Sequence, residues 1–174
     1  MEISAPAVLK DKSRLKEIYD LRTLAYEHSY KTVYVNKNIF PDGWKDYLDE
    51  QAIHWVAESE NTIVASARLV ILNDLADTRE DVSAFELPAG RPFAYYSRLV
   101  VHPEFRGYGI GAAMDAIRMS YIKREDISFA MAFSFAERSQ SLLKLGFEEL
   151  GIVNYKWCGL PLPTTEQHFF IFRK

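Results

Sequence analysis

From Ser13 onward, Leu15, Ile18, Leu21 or Arg22, and Ala25 recur at three- and four-residue spacing, which predicts a helix capped by Ser13 and running to about Tyr30. Ala7 to Lys10 reads as a short first strand ahead of it. Pro41-Asp42-Gly43 is a turn, and a short helix is expected to follow it through Leu48. The pattern then changes to strands. Ile53 to Glu58 and the β-branched run Thr62 to Leu72 flank Glu60-Asn61, which predicts an antiparallel hairpin. Asn73 to Arg91 is polar and irregular, a long loop. Phe93 to Val101 is a strong strand. Ile110, Ala113, Met114, Ile117 and Tyr121 mark a helix from about Tyr108 to Arg124. Ile127 to Phe133 has the character of a buried strand. Ala136 to Leu145 is a helix stopped by Gly146, and Phe147 to Leu150, Val153 to Trp157 and His168 to Phe172 are the last strands. Strands alternating with helices, without repeats or a long linker, predict one α/β domain over residues 1–174.

Composition narrows the function classes. The 174 residues are 48% hydrophobic and 26% charged, with a net charge of -3 and a pI near 5.8. No basic surplus points to nucleic acid and no polybasic run to a membrane surface. Cys158 is the single cysteine, so no internal disulfide forms; it reads as a packing residue in a reducing compartment. Residues 1–10 lack an apolar signal-peptide run and no stretch approaches the length of a membrane span, so a cytoplasmic location is expected. His54, His102 and His168 do not form a metal-ligand spacing, and no metal is expected.

The segment with chemical content is Val101-His102-Pro103-Glu104-Phe105-Arg106-Gly107-Tyr108-Gly109-Ile110-Gly111-Ala112, a strand end, a tight turn and the start of a helix. Three glycines at alternate positions remove Cβ atoms where the backbone must approach something closely. The N–H groups left without partners at a helix N-terminus, together with the helix dipole, form an anion site suited to a pyrophosphate, and Arg106 can add a charged contact. A glycine corner without a ligand is the plainest alternative. A dinucleotide fold is another, since Gly107 to Ala112 satisfies a loose G-x-G-x-x-A pattern. It lacks an N-terminal βαβ unit, however, and Glu125 and Asp126 precede the next strand instead of ending it. No Gly-Lys-Ser/Thr is present, which excludes a Walker loop.

These residues resemble the acyl-CoA loop of the GNAT superfamily of N-acetyltransferases, whose Gln/Arg-x-x-Gly-x-Gly/Ala pattern falls on Arg106, Gly109 and Gly111. Leu145-Gly146-Phe147 resembles a second signature of that superfamily, and the order of elements matches from about residue 13 to 173. The resemblance implies a mixed, mostly antiparallel sheet of six or seven strands splayed at the acyl-CoA site, with about four helices on its two faces. It implies acetyl-CoA or another acyl-CoA as co-substrate, held by Leu99, Val100, Val101, Arg106, Gly107, Tyr108, Gly109, Ile110, Gly111 and Ala112. An amine would attack the thioester directly, with proximity supplying much of the rate.

Ala67-Arg68-Leu69 with Arg98 to Val101 is most similar in pattern to ElaA-type acetyltransferases; Gly159-Leu160-Pro161 and His168 loosely resemble their terminal hairpin. Arg22, Tyr26, Arg68 and Arg98 also resemble acyl-homoserine-lactone and N-acyl amino acid synthases, which use acyl carrier protein. In that group, though, a glutamate stands where this chain has Tyr95. The four residues are candidates for binding the acceptor. An arginine between apolar runs equally demands a carboxylate from the protein itself. Tyr95, Tyr96, Tyr155 and Trp157 either line an acceptor pocket or pack the core. The glutamate that superfamily members often carry before the loop falls near Ser97, and the tyrosine that often protonates the leaving thiolate falls on Leu142. Glu104, Ser141 and Tyr155 are the substitutes the sequence offers. The expected function is transfer of an acyl group to a small amine or amino-acid-like acceptor by a monomer or homodimer. A module that senses acyl-CoA without turnover is the non-enzymatic alternative.

Overall fold

A computed structural model describes residues 2–174 of the chain. Seven strands form a single sheet: β1 (Ala7–Val8), β2 (Ile53–Ser59), β3 (Thr62–Leu72), β4 (Phe93–Val101), β5 (Phe129–Ser134), β6 (Glu148–Tyr155) and β7 (Thr165–Arg173), in the order β1-β2-β3-β4-β5-β7-β6. Pairing is antiparallel between β1 and β2, β5 and β7, and β6 and β7, and parallel between β4 and β5. Three α-helices accompany the sheet, α1 (Leu15–Glu27), α2 (Ile110–Arg124) and α3 (Ala136–Lys144), with four short 3-10 turns. The chain forms two compact units, one from residues up to Arg68 with Arg98–Ile117, the other from Leu69–Ser97 with Arg118–Lys174. Among the described residues, no helix is long and apolar enough to cross a membrane.

In the first unit, Leu15, Ile18, Tyr19, Leu21 and Ala25 of α1 bury with Val56, Ile63 and Val100. Full burial of each large aliphatic side chain contributes about 1.5–3 kcal/mol, enough to fix the face of α1 predicted from the pattern. The helix start differs from the sequence expectation. Asp11, not Ser13, is the cap: its carboxylate accepts from the Ser13 N–H at 2.9 Å and opens a 3-10 turn over Lys12–Arg14. The helix ends at Glu27, and Ser29 then caps a separate 3-10 turn, Tyr30–Val33.

No helix follows Pro41-Asp42-Gly43. Gly43 (φ 83°) runs so close to α1 that a Cβ there would lie 2.7 Å from the Tyr19 carbonyl carbon. The Trp44 N–H donates to Tyr19 O at 3.0 Å and to Thr23 Oγ1 at 2.9 Å. Beyond it the Asp46 N–H donates to Asp49 Oδ2 and the Leu48 N–H to Asp46 Oδ1, so side-chain acceptors within the segment take the place of a helical ladder and residues 47–50 form turns.

The Glu60-Asn61 link has positive φ at both residues (50° and 63°), as a two-residue hairpin turn requires. In the second unit, the two strands expected over 147–157 are one bulged strand: β6 shifts register between Glu149 and Gly151 against Phe170 and Phe169 of β7. Its core is aromatic, with Phe93 stacked on Phe129 at 5.0 Å and Phe133 on Phe169 at 4.9 Å. The loop 73–92 contains a 3-10 turn, Leu75–Thr78, and its Arg91 donates to Asn73 O, Pro88 O and Gly90 O.

Candidate functional site

After β4, His102 begins a 3-10 turn over Pro103–Phe105, with its Nδ1 accepting from the Glu104 N–H at 3.3 Å. Gly107 and Gly109 follow with φ of 87° and 77°, a left-handed backbone that costs a residue with a Cβ about 1–2 kcal/mol. Yet no protein atom lies within 4 Å of a Cβ built at either position. At Gly111 a Cβ would meet only Leu99 Cδ2, at an ordinary 3.9 Å, and φ there is not positive. The fold therefore uses the glycines at 107 and 109 for conformation and has no use for one at 111. The first helical bond of α2 runs from the Ala113 N–H to Gly109 O at 3.1 Å, so the N–H groups of Ile110, Gly111 and Ala112 have no partner within the helix. Those donors, with the positive end of the dipole, make an exposed ledge suited to an anion. Ile110 (7% exposed) anchors the turn below while Tyr108 (68%) stands out into solvent. The Arg106 Nη2 donates to Ala25 O at 3.0 Å and Nε to Val101 O at 3.3 Å, bracing the turn against the end of α1.

On the other side of His102, β4 changes character within its length. Ala94 and Tyr95 pair in parallel with Ala130 and Met131. Three residues on, Arg98 has φ 57°. A left-handed arginine inside a strand is strained and persists only when its surroundings over-determine it. Here they do. Arg98 Nη2 donates to Asp46 Oδ2 at 2.7 Å, and the guanidinium lies 3.8 Å from the Trp44 ring centroid. Each contact is worth about 2 kcal/mol when desolvated, so together they exceed the strain.

Asp46 belongs to a larger buried network. Arg68 Nη1 donates to Asp46 Oδ1 at 2.6 Å and to Asp49 Oδ1 at 2.9 Å; Arg22 Nη1 donates to Asp49 Oδ2 at 2.9 Å. The Asp46 N–H also donates to Asp49 Oδ2 at 2.8 Å. Carboxylates of the protein thus meet Arg22, Arg68 and Arg98, and the Arg68 side chain between them is at 0% exposure. Burial alone would raise both carboxyls. The charges of Arg68 and Arg98 on Asp46, and of Arg22 and Arg68 on Asp49, outweigh it and hold both well below the carboxylate range. Burial, opposed by the Asp49 charge, lowers the Arg22 pKa. His54 donates Nε2–H to Asp49 O at 3.0 Å; burial first, then the Arg22 charge, push its pKa down to about 4. The ring is neutral near pH 7, and three guanidinium charges face two carboxylates. Tyr26 meets the Trp44 ring of this network edge to face at 4.8 Å.

Residues 15–147 match the family model described as the acetyltransferase (GNAT) family. The chain belongs to that family. Solved GNAT-fold structures align over nearly all of it. An N-acyl amino acid synthase, FeeM, from uncultured soil microbes has a TM-score of 0.72 at 11% identity, covering 99% of this chain and 91% of that one. A GNAT acetyltransferase from Elizabethkingia anophelis with acetyl-CoA bound has 0.62 at 15%, covering 99% and 98%. The ribosomal-protein-S18-alanine N-acetyltransferase of Escherichia coli has 0.60 at 12%, covering 99% and 94%. At such identities the likeness is one of fold. No curated protein matches the sequence.

In this GNAT chain the remaining candidates sit in separate surroundings. Glu104 is exposed on the turn before the glycines, and Ser141 is half-buried on α3 beside the buried Leu142. Tyr155, 4% exposed, shares a hydrogen bond with the Tyr95 hydroxyl at 2.8 Å and contacts Cys158 Sγ at 3.3 Å. Tyr95, Tyr155 and Trp157 are core aromatics of the second unit. Tyr96, also buried, carries the Arg118 guanidinium 3.6 Å above its ring. Among the described residues no group of three or more His, Cys, Asp or Glu side chains is placed to hold a metal. Sequence reasoning missed Trp44, Asp46, Asp49 and the buried state of His54. The available signal was the unmet need of three arginines for carboxylates, with two acids three residues apart between Trp44 and Glu50.

Proposed function

We propose that this GNAT protein transfers an acetyl group from acetyl-CoA to the amino group of a small amine or amino-acid-like acceptor. The observation that carries the reading is the ledge at the start of α2: open space over Gly107 and Gly109, a glycine at 111 that the fold does not need, and the N–H groups of residues 110–112 without a partner in the helix. These suit the pyrophosphate of coenzyme A. The backbone of Leu99, Val100 and Val101, at the end of β4 that leads into the ledge, is suited to receive the pantetheine arm and polarise the thioester carbonyl. The amine nitrogen bonds to the thioester carbon, the C–S bond breaks, and the proton lost by the amine balances the thiolate released. The amine attacks as its free base, since an ammonium nitrogen has no lone pair, and with Ser97 and Leu142 at the two positions neither side chain there takes up or supplies that proton as a carboxylate or tyrosine would.

The test is release of free thiol from acetyl-CoA across a library of amines, run beside calorimetry with acetyl-CoA alone. Turnover with any amine supports the reading. Binding without turnover would favour a sensing module, and absence of binding would remove the loop from the site. A second reading, an N-acyl amino acid synthase fed by an acyl carrier protein, is favoured by the joint presence of Arg22, Tyr26, Arg68 and Arg98. Faster transfer from a long-chain acyl carrier protein than from acetyl-CoA would select it.

A further inference from the structure

Arg98 is the one residue inside a strand of the described chain with a left-handed backbone and a side chain beyond Cβ. It stands immediately before Leu99, the first residue that the proposed function assigns to the thioester arm. The rotation at residue 98 decides which way the peptide groups of Leu99, Val100 and Val101 face. In an extended strand, residue 98 would turn them by half a pleat.

Nothing in the sequence of β4 favours that rotation. What fixes it is remote: Asp46 Oδ2 at 2.7 Å from Nη2, and the Trp44 ring 3.8 Å from the guanidinium. Both partners are themselves fixed. Asp46 takes Arg68 at 2.6 Å on its other oxygen and the Leu48 N–H at 3.0 Å, and the Trp44 N–H is held by Tyr19 and Thr23 of α1. We infer that Asp46 and Trp44 are positioning residues for acyl transfer: acting through the Arg98 side chain, they hold residue 98 left-handed and so aim the Leu99–Val101 backbone at the donor. The inference rests on the acyltransferase reading for its consequence, but the device itself is a matter of conformation and is testable without turnover.

The decisive pair of variants is Arg98→Ala and Arg98→Gly. Both remove the guanidinium and leave Asp46 paired with Arg68. They differ in one respect, since glycine enters the left-handed region freely and alanine does not. Three readouts are needed on the full chain: the backbone conformation of residue 98 from its Cα chemical shift, acetyl-CoA affinity by calorimetry, and kcat with the best amine. In Arg98→Ala, residue 98 should become extended and kcat fall roughly 100-fold, the size of effect seen when an aligned backbone donor is lost, while acetyl-CoA affinity changes less than about threefold. Arg98→Gly should keep at least about tenfold more turnover than Arg98→Ala. Asp46→Asn should shift residue 98 toward the extended form. Equal losses in the two Arg98 variants would make the guanidinium a ligand or a plain structural group and overturn the inference, as would a residue 98 that stays left-handed in Arg98→Ala. If the alanine variant does not fold, Trp44→Leu, which keeps every charge, replaces it with the same expectations. If the parent shows no turnover, the acyltransferase reading falls, and the conformational readout alone decides whether Asp46 and Trp44 hold residue 98.

Discussion

Gly107 and Gly109 on one side of His102, and Arg98 on the other, hold the backbone in the same left-handed region by opposite means. The glycines do it by having no side chain: the space a Cβ would fill is empty, and both are exposed to solvent. Arg98 does it with a side chain almost wholly buried, an ion pair and an indole face. The first solution is local and leaves room for a ligand. The second spreads over α1, the 44–49 segment, β3 and β4, and converts a backbone angle into a property of the whole unit. Changes at the glycines should therefore alter binding more than stability, and changes in the arginine network should do the reverse.

The hardest test of that contrast is Asp49→Ala. It strips Arg22 and Arg68 of a shared carboxylate in a dry interior, and breaking a buried pair from one side costs about 3–5 kcal/mol. Denaturant unfolding should register that loss; a change under about 1 kcal/mol would mean that the network does not carry the unit.

A pH series probes the same network without losing a carboxylate. His54 has its pKa lowered from 6.5 to about 4, so between those values the unfolded chain binds a proton that the folded ring refuses. Stability present above pH 6.5 should drain as pH falls toward 4, by on the order of 3 kcal/mol in all. His54→Gln should flatten the part of this fall between 6.5 and about 5, above the range in which ordinary carboxylates titrate. An unchanged slope would place the ring outside the network.

On the ledge the balance should reverse. Gly109→Val should weaken acetyl-CoA binding about 100-fold, near 2.7 kcal/mol, for a stability loss of only ~1–2 kcal/mol from left-handed strain. Gly111→Ala is the sharper variant. Its Cβ fits, and alanine is the better helix former, so the protein should gain about 0.5–1 kcal/mol while losing acetyl-CoA affinity in calorimetry. Smallest of all, Arg106→Ala should cost about 1 kcal/mol through its two carbonyl contacts and leave affinity within about threefold. A larger affinity loss would turn its guanidinium toward the donor.

What could be read from the sequence follows the same division. β3 and β4 run as their patterns predicted, because an uninterrupted apolar stretch bounded by turn residues has few other uses. The glycine ledge was legible because its conformational requirement is met by residue type alone. The segment 41–49 was not: Trp44 and Leu48 carry a helical spacing, but the carboxylates of Asp46 and Asp49, fixed by distant arginines, take the backbone donors of Leu48 and Asp46. The arginines were visible as a demand for anions, but their partners lie 19 to 52 residues away, so the sequence left open whether the acceptor or the protein answers it. The cap at Asp11 was missed because Ser13, two residues later, offers a hydroxyl of equal standing; in the fold that hydroxyl is itself a donor to Asp11.

The spacing of the network also sets the order in which its members appear as the chain is made. Arg22, Asp46, Asp49 and Arg68 all emerge well before Arg98, and those four alone make a balanced set, two guanidinium groups for two carboxylates. Arg98 arrives 52 residues after the carboxylate that receives it, bringing both the surplus charge and the left-handed turn. The Asp46–Arg98 contact spans more of the chain than any other in the network, so it closes the longest loop and carries the largest loop-closure entropy of the set.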